Sequence, residues 1–232
     1  MQDELSSRMS RLEGNSIELL KAQLFNNAIY ECNWVKYKNF TPTGWALTYN
    51  ALYHLFTILD KFQPTDVLEF GLGQSSKLIY QYTRTHPNTH ATTYEHDAEW
   101  ISFFTKNLPS EIIPNIVLTE LIETSYKNAN TLSYKNNCEE LKNNKFDFIL
   151  VDGPFGSPHF SRSQIINIVP DCLKESFIIM IDDAERIGEQ ETISELLKIL
   201  SEHNIPCGQK QITSTKSIYL IYSVDIKFIT SI

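Results

Sequence analysis

The residues that could do chemistry in this sequence are carboxylates at the ends of apolar runs. One apolar run leads into Glu69 and a second leads into Glu95. Two later runs lead into Asp152 and into the pair Asp182 and Asp183. If these runs are parallel strands of an open sheet, their carboxyl ends border the crevice in which ligands bind. We therefore expect these five carboxylates to converge on one site.

A glycine turn follows Glu69 directly. Gly71 and Gly73 let the backbone turn without a Cβ and come close to a ligand, while a helix that starts near Ser75 presents unpaired N–H groups to it. A dinucleotide-binding fingerprint would need a third glycine where Ser76 stands. Glu69 would repel a pyrophosphate, but it suits a ligand with a positive centre. S-adenosylmethionine, with its sulfonium and ammonium groups, is such a ligand.

The second acidic strand end favours the same ligand. Glu95 lies about as far beyond the turn as an acidic side chain that accepts hydrogen bonds from ribose hydroxyls. The pattern E-x-G-x-G followed by Glu95 resembles motifs I and II of the class I methyltransferases. This resemblance implies S-adenosylmethionine as the cofactor, bound by Glu69, Gly71, Gly73, Ser75, Glu95 and His96.

The composition restricts the class of protein and of partner. With 232 residues, 42% of them hydrophobic, the chain can bury one full core. The 28 acidic and 20 basic residues give a net charge of -8, which disfavours nucleic acid and anionic membrane surfaces as partners. The 4 cysteines lack metal-site spacing, and no apolar signal region or membrane-length run is visible. We expect a cytoplasmic protein with free thiols.

Strand and helix signals alternate along most of the chain, which predicts an α/β fold. We predict a helical arm over residues 1–45, with a helix start signal at 14–16, and a main domain over residues 46–232. The arm covers a ligand or serves in packing or dimerisation, so a homo-oligomer is left open. A C-terminal hairpin is predicted over 211–214 and 217–223.

Three segments have weaker patterns. The third strand is predicted at 116–118, with an extension toward residue 122. The polar stretch 123–145 predicts a surface loop with a short helix near its end, in which Tyr126 or Tyr134 could touch a substrate. Residues 164–169 predict a helix closed by a proline.

Several stretches are similar, in the same order, to the polysaccharide-type O-methyltransferases related to plant glucuronoxylan 4-O-methyltransferases. The stretches that carry this similarity are Phe70–Gly73, Glu95–Trp100, Val151–Gly156 with Arg162, and Asp183–Arg186 with Glu189. The resemblance implies a Rossmann-like, mostly parallel seven-stranded sheet with helices on both faces and a C-terminal antiparallel hairpin. It also implies methyl transfer to a hydroxyl of a sugar or polysaccharide precursor. The sequence departs from the family at Asp182, where a histidine would be expected.

A second resemblance involves the same acidic residues. Asp152, Asp182 and Asp183 look like the metal-binding set of the catechol-type O-methyltransferases, except that Asp183 stands where an asparagine would be expected. Hard oxygen ligands at two strand ends suit Mg²⁺ or another divalent cation. A metal-dependent enzyme for small molecules is therefore an alternative, and each aspartate could also simply cap a helix.

The expected reaction assigns roles to four residues. Methyl transfer requires the acceptor oxygen, the methyl carbon and the sulfur to be held in line. A hydroxyl is a weak nucleophile while it keeps its proton, so Asp152 is predicted to act as its base, with Asp183 beside it. His159 and Arg162 would lie on the loop over the acceptor, where Arg162 could hold a substrate carboxylate.

The sequence bears on three other interpretations. A short-chain dehydrogenase needs Tyr-x-x-x-Lys, and no tyrosine here has a lysine four residues on. A nucleic-acid amino-methyltransferase needs a D-P-P-F motif, which Gly153 interrupts, and the negative charge argues against that partner. A non-catalytic S-adenosylmethionine-binding protein of the same fold stays as an alternative. The expected acceptor is a small molecule or a glycan.

Overall fold

The computed structural model describes residues 2–42, 44–135 and 138–231, and these ranges contain six α-helices and nine β-strands. The helices are α1 (Gln2–Glu31), α2 (Tyr49–Phe62), α3 (Gln74–Thr85), α4 (Ala98–Lys106), α5 (Cys138–Asn143) and α6 (Ile187–Glu202). The strands are β1 (Asp66–Phe70), β2 (His90–Glu95), β3 (Ile116–Leu118), β4 (Leu121–Tyr126), β5 (Ala129–Tyr134), β6 (Phe146–Val151), β7 (Leu173–Ile181), β8 (Cys207–Thr213) and β9 (Ser217–Ser223).

Seven of these strands form one sheet in the order β3-β2-β1-β6-β7-β9-β8. The first five in this order run parallel, whereas β9 is antiparallel to both β7 and β8. The strand order reverses direction between β1 and β6, and such a switch point opens a crevice at the carboxyl ends of the strands. The predicted α/β class, the seven-stranded sheet and the C-terminal antiparallel hairpin are confirmed.

Successive side chains of a strand point to opposite faces of the sheet, so apolar strands contribute to two separate apolar layers. Phe148 and Leu150 of β6 join the layer formed with α1, α2 and α3. Ile149 and Val151 point the other way and join the layer that includes α6. Because helices cover both faces, the central strands are buried on both sides, as expected of parallel strands.

The N-terminal arm contributes to the first of these layers. Phe25 and Ile29 of α1 are fully or almost fully buried, and Trp34 and Phe40 after the helix join the same cluster. The domain boundary near residue 45 stays a prediction. None of the helices in the described part of the chain is both long and apolar enough to cross a membrane.

Several local predictions were wrong. The expected loop at 123–145 contains a hairpin of β4 and β5, which form their own two-stranded sheet. Its turn residues, Lys127 and Asn128, both have positive φ, as two-residue hairpin turns require. The hairpin is polar on much of its surface, and its strand alternation is therefore weak. β4 is separate from β3, so the third strand does not extend to residue 122.

Other element boundaries also differ from the predictions. α1 begins at Gln2, well before the expected start signal, and β8 begins at Cys207. The segment Ser163–Asn167 forms a 3-10 helix instead of an α-helix.

Candidate active site

A cavity of about 500 Å³ opens at the carboxyl ends of β1, β2 and β6. This position is the switch point of the sheet, and the volume lies within the range of small-molecule sites. The residues from the predicted site that line it are Gly71, Gly73, Glu95, His96, Asp152, Arg162 and Asp183. The other lining residues include Thr41, Trp45, Gln74, Asp97, Trp100, Phe103, Tyr134, Phe155 and Arg186.

The two glycines of the turn have different tasks. Gly71 has a φ of +96°, and a Cβ on it would lie 3.0 Å from the backbone C and O atoms of Asp152. Gly71 thus lets β1 approach β6, and the space beside it is taken by backbone, not by the ligand as the sequence suggested. A Cβ on Gly73 would meet nothing within 4 Å. Gly73 is therefore the glycine that leaves room in the cavity.

Glu69 lies beneath the turn and does not line the cavity. It is fully buried, and its carboxylate accepts hydrogen bonds from the hydroxyls of Ser75 (2.6 Å), Ser76 (2.7 Å) and Thr93 (2.6 Å). Burial raises the pKa of Glu69 to about 7, although these hydrogen bonds act to lower it. Glu69 and Ser75 hold the start of α3 against β1 and β2, and neither side chain is among those that line the cavity.

Glu95 lines the cavity and organises its backbone. Its Oε2 accepts from the N–H of Leu72 at 3.0 Å, and its Oε1 accepts from the N–H groups of His96 (2.7 Å) and Asp97 (3.0 Å). The Nδ1 of His96 lies 2.8 Å from the same Oε1. An ionised carboxylate has about four acceptor positions, so Oε2 retains capacity for one more donor such as a ribose hydroxyl.

Aromatic side chains form the outer wall of the cavity. The indole N–H of Trp100 donates to the carbonyl of Leu72 at 2.8 Å, and its ring stacks on Phe103 with centroids 5.7 Å apart. Trp45 and Phe155 are 84% and 59% exposed although they line the cavity. Exposed aromatic rings at the mouth of a cavity offer flat surfaces for an adenine ring or for the apolar face of a sugar.

Tyr134 lines the cavity between Glu95 and Asp152. It reaches the site from the β4–β5 hairpin, and its hydroxyl packs against Gly153. Burial raises the pKa of Tyr134, and the nearby charges of Glu95 and Asp152 raise it further. Tyr134 therefore stays protonated. Tyr126 instead donates a hydrogen bond to Glu195 at 3.0 Å, away from the cavity.

Three carboxylates meet at the far end of the cavity. One oxygen from each of Asp152, Asp182 and Asp183 lies within 4.8 Å of the other two. Asp152 and Asp183 line the cavity, whereas Asp182 is fully buried behind them. Both carboxylate oxygens of Asp182 lack a hydrogen-bond partner among the described residues. Of the five carboxylates expected to converge, these three lie together and Glu95 lines the same cavity, whereas Glu69 does not line it.

Arg162 is a structural member of this cluster. It is only 4% exposed and donates to the carbonyls of Pro154 (3.2 Å) and Asp182 (3.0 Å) and to the carboxylate of Asp183 (2.8 Å). A further bond reaches the carbonyl of Val151, so most of the donors of its guanidinium are used inside the protein. The expectation that Arg162 holds a substrate carboxylate is not supported by this geometry.

Two other basic residues complete the cluster, and one predicted residue is absent from it. Arg186 lies at the cavity mouth, with Nη1 3.0 Å from Asp183. Lys216, from the β8–β9 turn, has Nζ 3.1 Å from the same carboxylate. His159 lies outside, 59% exposed and paired with Glu191 at 3.0 Å. The structure therefore does not bring His159 to the site.

The charges separate the pKa values of the three acids. Burial and the neighbouring Asp182 raise the pKa of Asp152 well above its ordinary value. Burial and Asp183 raise the pKa of Asp182 to about 6. Burial also acts to raise the pKa of Asp183, but Arg162 and Lys216 outweigh it and hold that pKa below its ordinary value. Asp152 and Asp182 each lose their proton at a higher pH than an ordinary aspartate, while Asp183 is ionised.

The cluster is a poor fit to a resident divalent cation. The three carboxylates supply hard oxygen atoms, as Mg²⁺ prefers. However, Asp183 already contacts Arg162, Arg186 and Lys216, and Lys216 also lies 3.7 Å from Asp182. A metal ion would have to displace these cations, so the predicted metal set is not supported by the charge balance.

Sequence reasoning missed several residues of the site. Trp45 and Phe103 carry no motif, and Phe155 was part of the Val151–Gly156 stretch without a role of its own. Lys216 was assigned only to a turn, because its distance in sequence from Asp183 hides their contact. Tyr134 was named as a candidate, and the structure places it in the cavity.

No protein-family model matches this sequence, and no curated protein was found to match it in sequence. Solved structures do resemble it. A Klebsiella pneumoniae protein provisionally assigned as an O-methyltransferase has a TM-score of 0.53 at 13% identity, over 94% of this chain and 99% of that chain. The O-methyltransferase from Bacillus cereus in complex with S-adenosylhomocysteine has a TM-score of 0.51 at 10% identity, over 88% and 90% of the two chains.

A third similar structure is TomG, the O-methyltransferase from Streptomyces achromogenes that is involved in tomaymycin synthesis, solved in complex with S-adenosylmethionine. Its TM-score is 0.50 at 11% identity, over 73% of this chain and 78% of that chain. At identities this low, likeness shows the fold and not the activity. This chain thus has a Rossmann-like fold similar to that of these O-methyltransferases, with its cavity at the switch point of the sheet.

Proposed function

We propose that this protein is an S-adenosylmethionine-dependent O-methyltransferase. The observation that carries the proposal is a single cavity with Gly73 and Glu95 at one end and Asp152 at the other. The first end can take an adenosine, because Glu95 can accept from a ribose hydroxyl and Trp100 offers an aromatic face. The second end can take a proton from an acceptor hydroxyl. Neighbours of the same fold that are solved with S-adenosylmethionine or S-adenosylhomocysteine support this cofactor.

The reaction needs alignment and a base. When bound, the cofactor supplies a methyl group activated by its sulfonium. Asp152 accepts the proton of the acceptor hydroxyl while the new C–O bond forms and the C–S bond breaks. Its raised pKa makes it a stronger base than an ordinary carboxylate, and a positioned base is commonly worth ~10²–10⁴-fold in rate. Asp183, held by Arg162 and Lys216, fixes the end of β7 next to it.

We further propose that the acceptor is a hydroxyl of a sugar or of a polysaccharide precursor. Two features of the cavity mouth support this choice. Trp45 and Phe155 are exposed aromatic rings, which suit the apolar face of a sugar ring. Arg186 is partly exposed beside them and retains donors that could hold an acidic sugar. The catechol-type alternative is less well supported, because the acidic cluster fits a metal ion poorly.

Release of S-adenosylhomocysteine in the presence of candidate acceptors tests this proposal. We expect turnover with a uronic-acid glycan in the presence of a chelator, and little turnover with catechol. Arg186→Gln should raise KM for the acidic glycan with little change in KM for a neutral one, whereas Lys198→Gln, an exposed change on α6, should alter neither. A catechol methylated only with Mg²⁺ present would replace the sugar proposal. Cofactor binding without turnover on any acceptor would favour a non-catalytic protein.

A further inference from the structure

The acidic cluster contains an imbalance of charge. Each charged group of the cluster lies within about 4 Å of at least one group of opposite charge. The cluster consists of four carboxylates, Asp152, Asp182, Asp183 and Glu189, and three cations, Arg162, Arg186 and Lys216. If every group is ionised, one negative charge is left over. A single bound proton neutralises the set, so in this form the cluster does not require a divalent ion.

Lys216 has a position that the two arginines do not share. Its Nζ lies 3.1 Å from Asp183 Oδ1 and 3.7 Å from Asp182 Oδ2. No other cation among the described residues is paired with the carboxylate of Asp182, whose oxygens are buried and have no hydrogen-bond partner. An ammonium group placed between two carboxylates occupies the region in which a metal ion bridging them would lie.

Hydrogen bonds hold the turn that carries Lys216 against the segment that follows Asp182 and Asp183. The N–H of Ser217 donates to the carboxylate of Glu185 at 2.7 Å, and the N–H of Ala184 donates to the carbonyl of Ser217 at 2.8 Å. These bonds fix the β8–β9 turn over the Asp182–Asp183 segment. The ammonium group is therefore held in place by the backbone as well as by its own charge.

We propose that Lys216 is a built-in cation that takes the place of a divalent metal ion at the acceptor end of the site. The role in methyl transfer rests on the proposed function, in which Lys216 is a positioning residue that holds Asp182 and Asp183 beside Asp152. The wild-type protein then needs no metal. Without Lys216 the cluster carries two uncompensated negative charges, which matches the charge of one divalent ion, and three carboxylate oxygens are available to bind it.

Binding of Mn²⁺ alone, measured by electron paramagnetic resonance and calorimetry, tests this proposal. We expect no stoichiometric Mn²⁺ binding by the wild type or by Lys216→Arg, which keeps the charge. Lys216→Met should bind one Mn²⁺ per chain, and Asp182→Asn added to it should abolish that binding. A wild type that binds Mn²⁺ and loses it in Asp182→Asn would overturn the proposal, as would a folded Lys216→Met that binds none.

A loss of stability in Lys216→Met would not block the test. An ion that binds only the folded state raises Tm, so a destabilised variant should be stabilised by Mn²⁺ and not by the same ionic strength of NaCl. A variant that Mn²⁺ fails to stabilise or refold counts against the proposal. Calorimetry with S-adenosylhomocysteine on the same samples separates the two ideas. A wild type that does not bind S-adenosylhomocysteine refutes the proposed function, whereas the Mn²⁺ results still decide the role of Lys216.

Discussion

The two glycines of the β1 turn allow a matched test, because the structure gives them different surroundings. Gly71→Ala should destabilise the protein for two reasons. A φ of +96° is rarely adopted by a residue with a Cβ and costs roughly 1–3 kcal/mol. The new methyl group would also lie 3.0 Å from the backbone of Asp152, and such overpacking costs about 1–3 kcal/mol. Together these give roughly 2–6 kcal/mol, a large part of a typical folding free energy.

Gly73→Ala should behave in the opposite way. Its φ of -165° is extended backbone, and its Cβ would meet nothing within 4 Å, so stability should change by about 0.5 kcal/mol or less. The methyl group would instead take up space in the cavity. A clash of about 1–3 kcal/mol with the cofactor corresponds to a loss of affinity of roughly 5–150-fold.

Urea denaturation followed by circular dichroism measures the first effect, and calorimetry with S-adenosylhomocysteine measures the second. We expect a lowered midpoint for Gly71→Ala, and a wild-type midpoint with weakened binding for Gly73→Ala. A wild-type midpoint for Gly71→Ala would refute the close approach assigned to Gly71. A Gly73→Ala variant that unfolds as readily as Gly71→Ala and still binds the ligand normally would refute the different roles of the two glycines.

Three further predictions concern pH, catalysis and assembly. Glu69 has a folded-state pKa of about 7, above the ordinary value of 4.5, so its protonation stabilises the fold below about pH 4.5 and this stabilisation is lost as pH rises through 7. The loss should be about 3 kcal/mol, and denaturation midpoints of Glu69→Gln should show a smaller decline over that range than those of the wild type. Asp152→Asn should lower kcat by ~10²–10⁴-fold with little change in cofactor affinity, and the acid limb of the wild-type kcat profile should lie above the ordinary aspartate range, since the base acts when ionised. An Asp152→Asn variant that loses the cofactor but keeps kcat would favour the alternative in which Asp152 only caps a helix. Self-association stays a prediction, and α1 offers the surface, an exposed apolar stripe that includes Leu5 and Leu12. Light scattering should show an oligomer that Leu12→Asp disrupts, and a monomeric wild type would contradict this.

The strand ends were predictable because their signal is local. An apolar run, a carboxylate and a glycine turn lie together in sequence, and the rule for open parallel sheets places such ends at one crevice. Glu95 and Asp152 were found in this way, and both line the cavity. The register of β1 with β6, which pairs Phe70 with Val151, brings Gly71 next to Asp152 as expected of neighbouring strands.

The direction of each side chain was not predictable from the same signal. Glu69 alternates with Leu68 and Phe70 along β1, but both faces of this strand are buried, so no polar face shows which way it points. A carboxylate at a strand end is therefore either a ligand contact or, as the geometry of Glu69 indicates, an acceptor for neighbouring hydroxyls. Only its contacts with Ser75 and Thr93 distinguish the two.

The partners of the acidic cluster were also hidden in the sequence. Arg162 was assigned to a loop over the acceptor, yet its guanidinium is buried and connects the ends of β6 and β7. Lys216 lies far along the chain, and a hairpin turn normally places a lysine in solvent. Charge balance among buried acids depends on such long-range contacts, which is why a metal ion was a reasonable prediction from the aspartates alone.

The most direct test of the central claim is calorimetry of purified wild-type protein with S-adenosylhomocysteine. We expect one binding site per chain. Glu95→Gln should weaken binding by about 1–3 kcal/mol, the range for a lost hydrogen bond to a charged group, and Glu99→Gln, an exposed change on α4, should leave it as it was. Thermal denaturation of the three proteins would show that each is folded. Absence of binding by the folded wild type, or equal affinity in Glu95→Gln, would contradict the account.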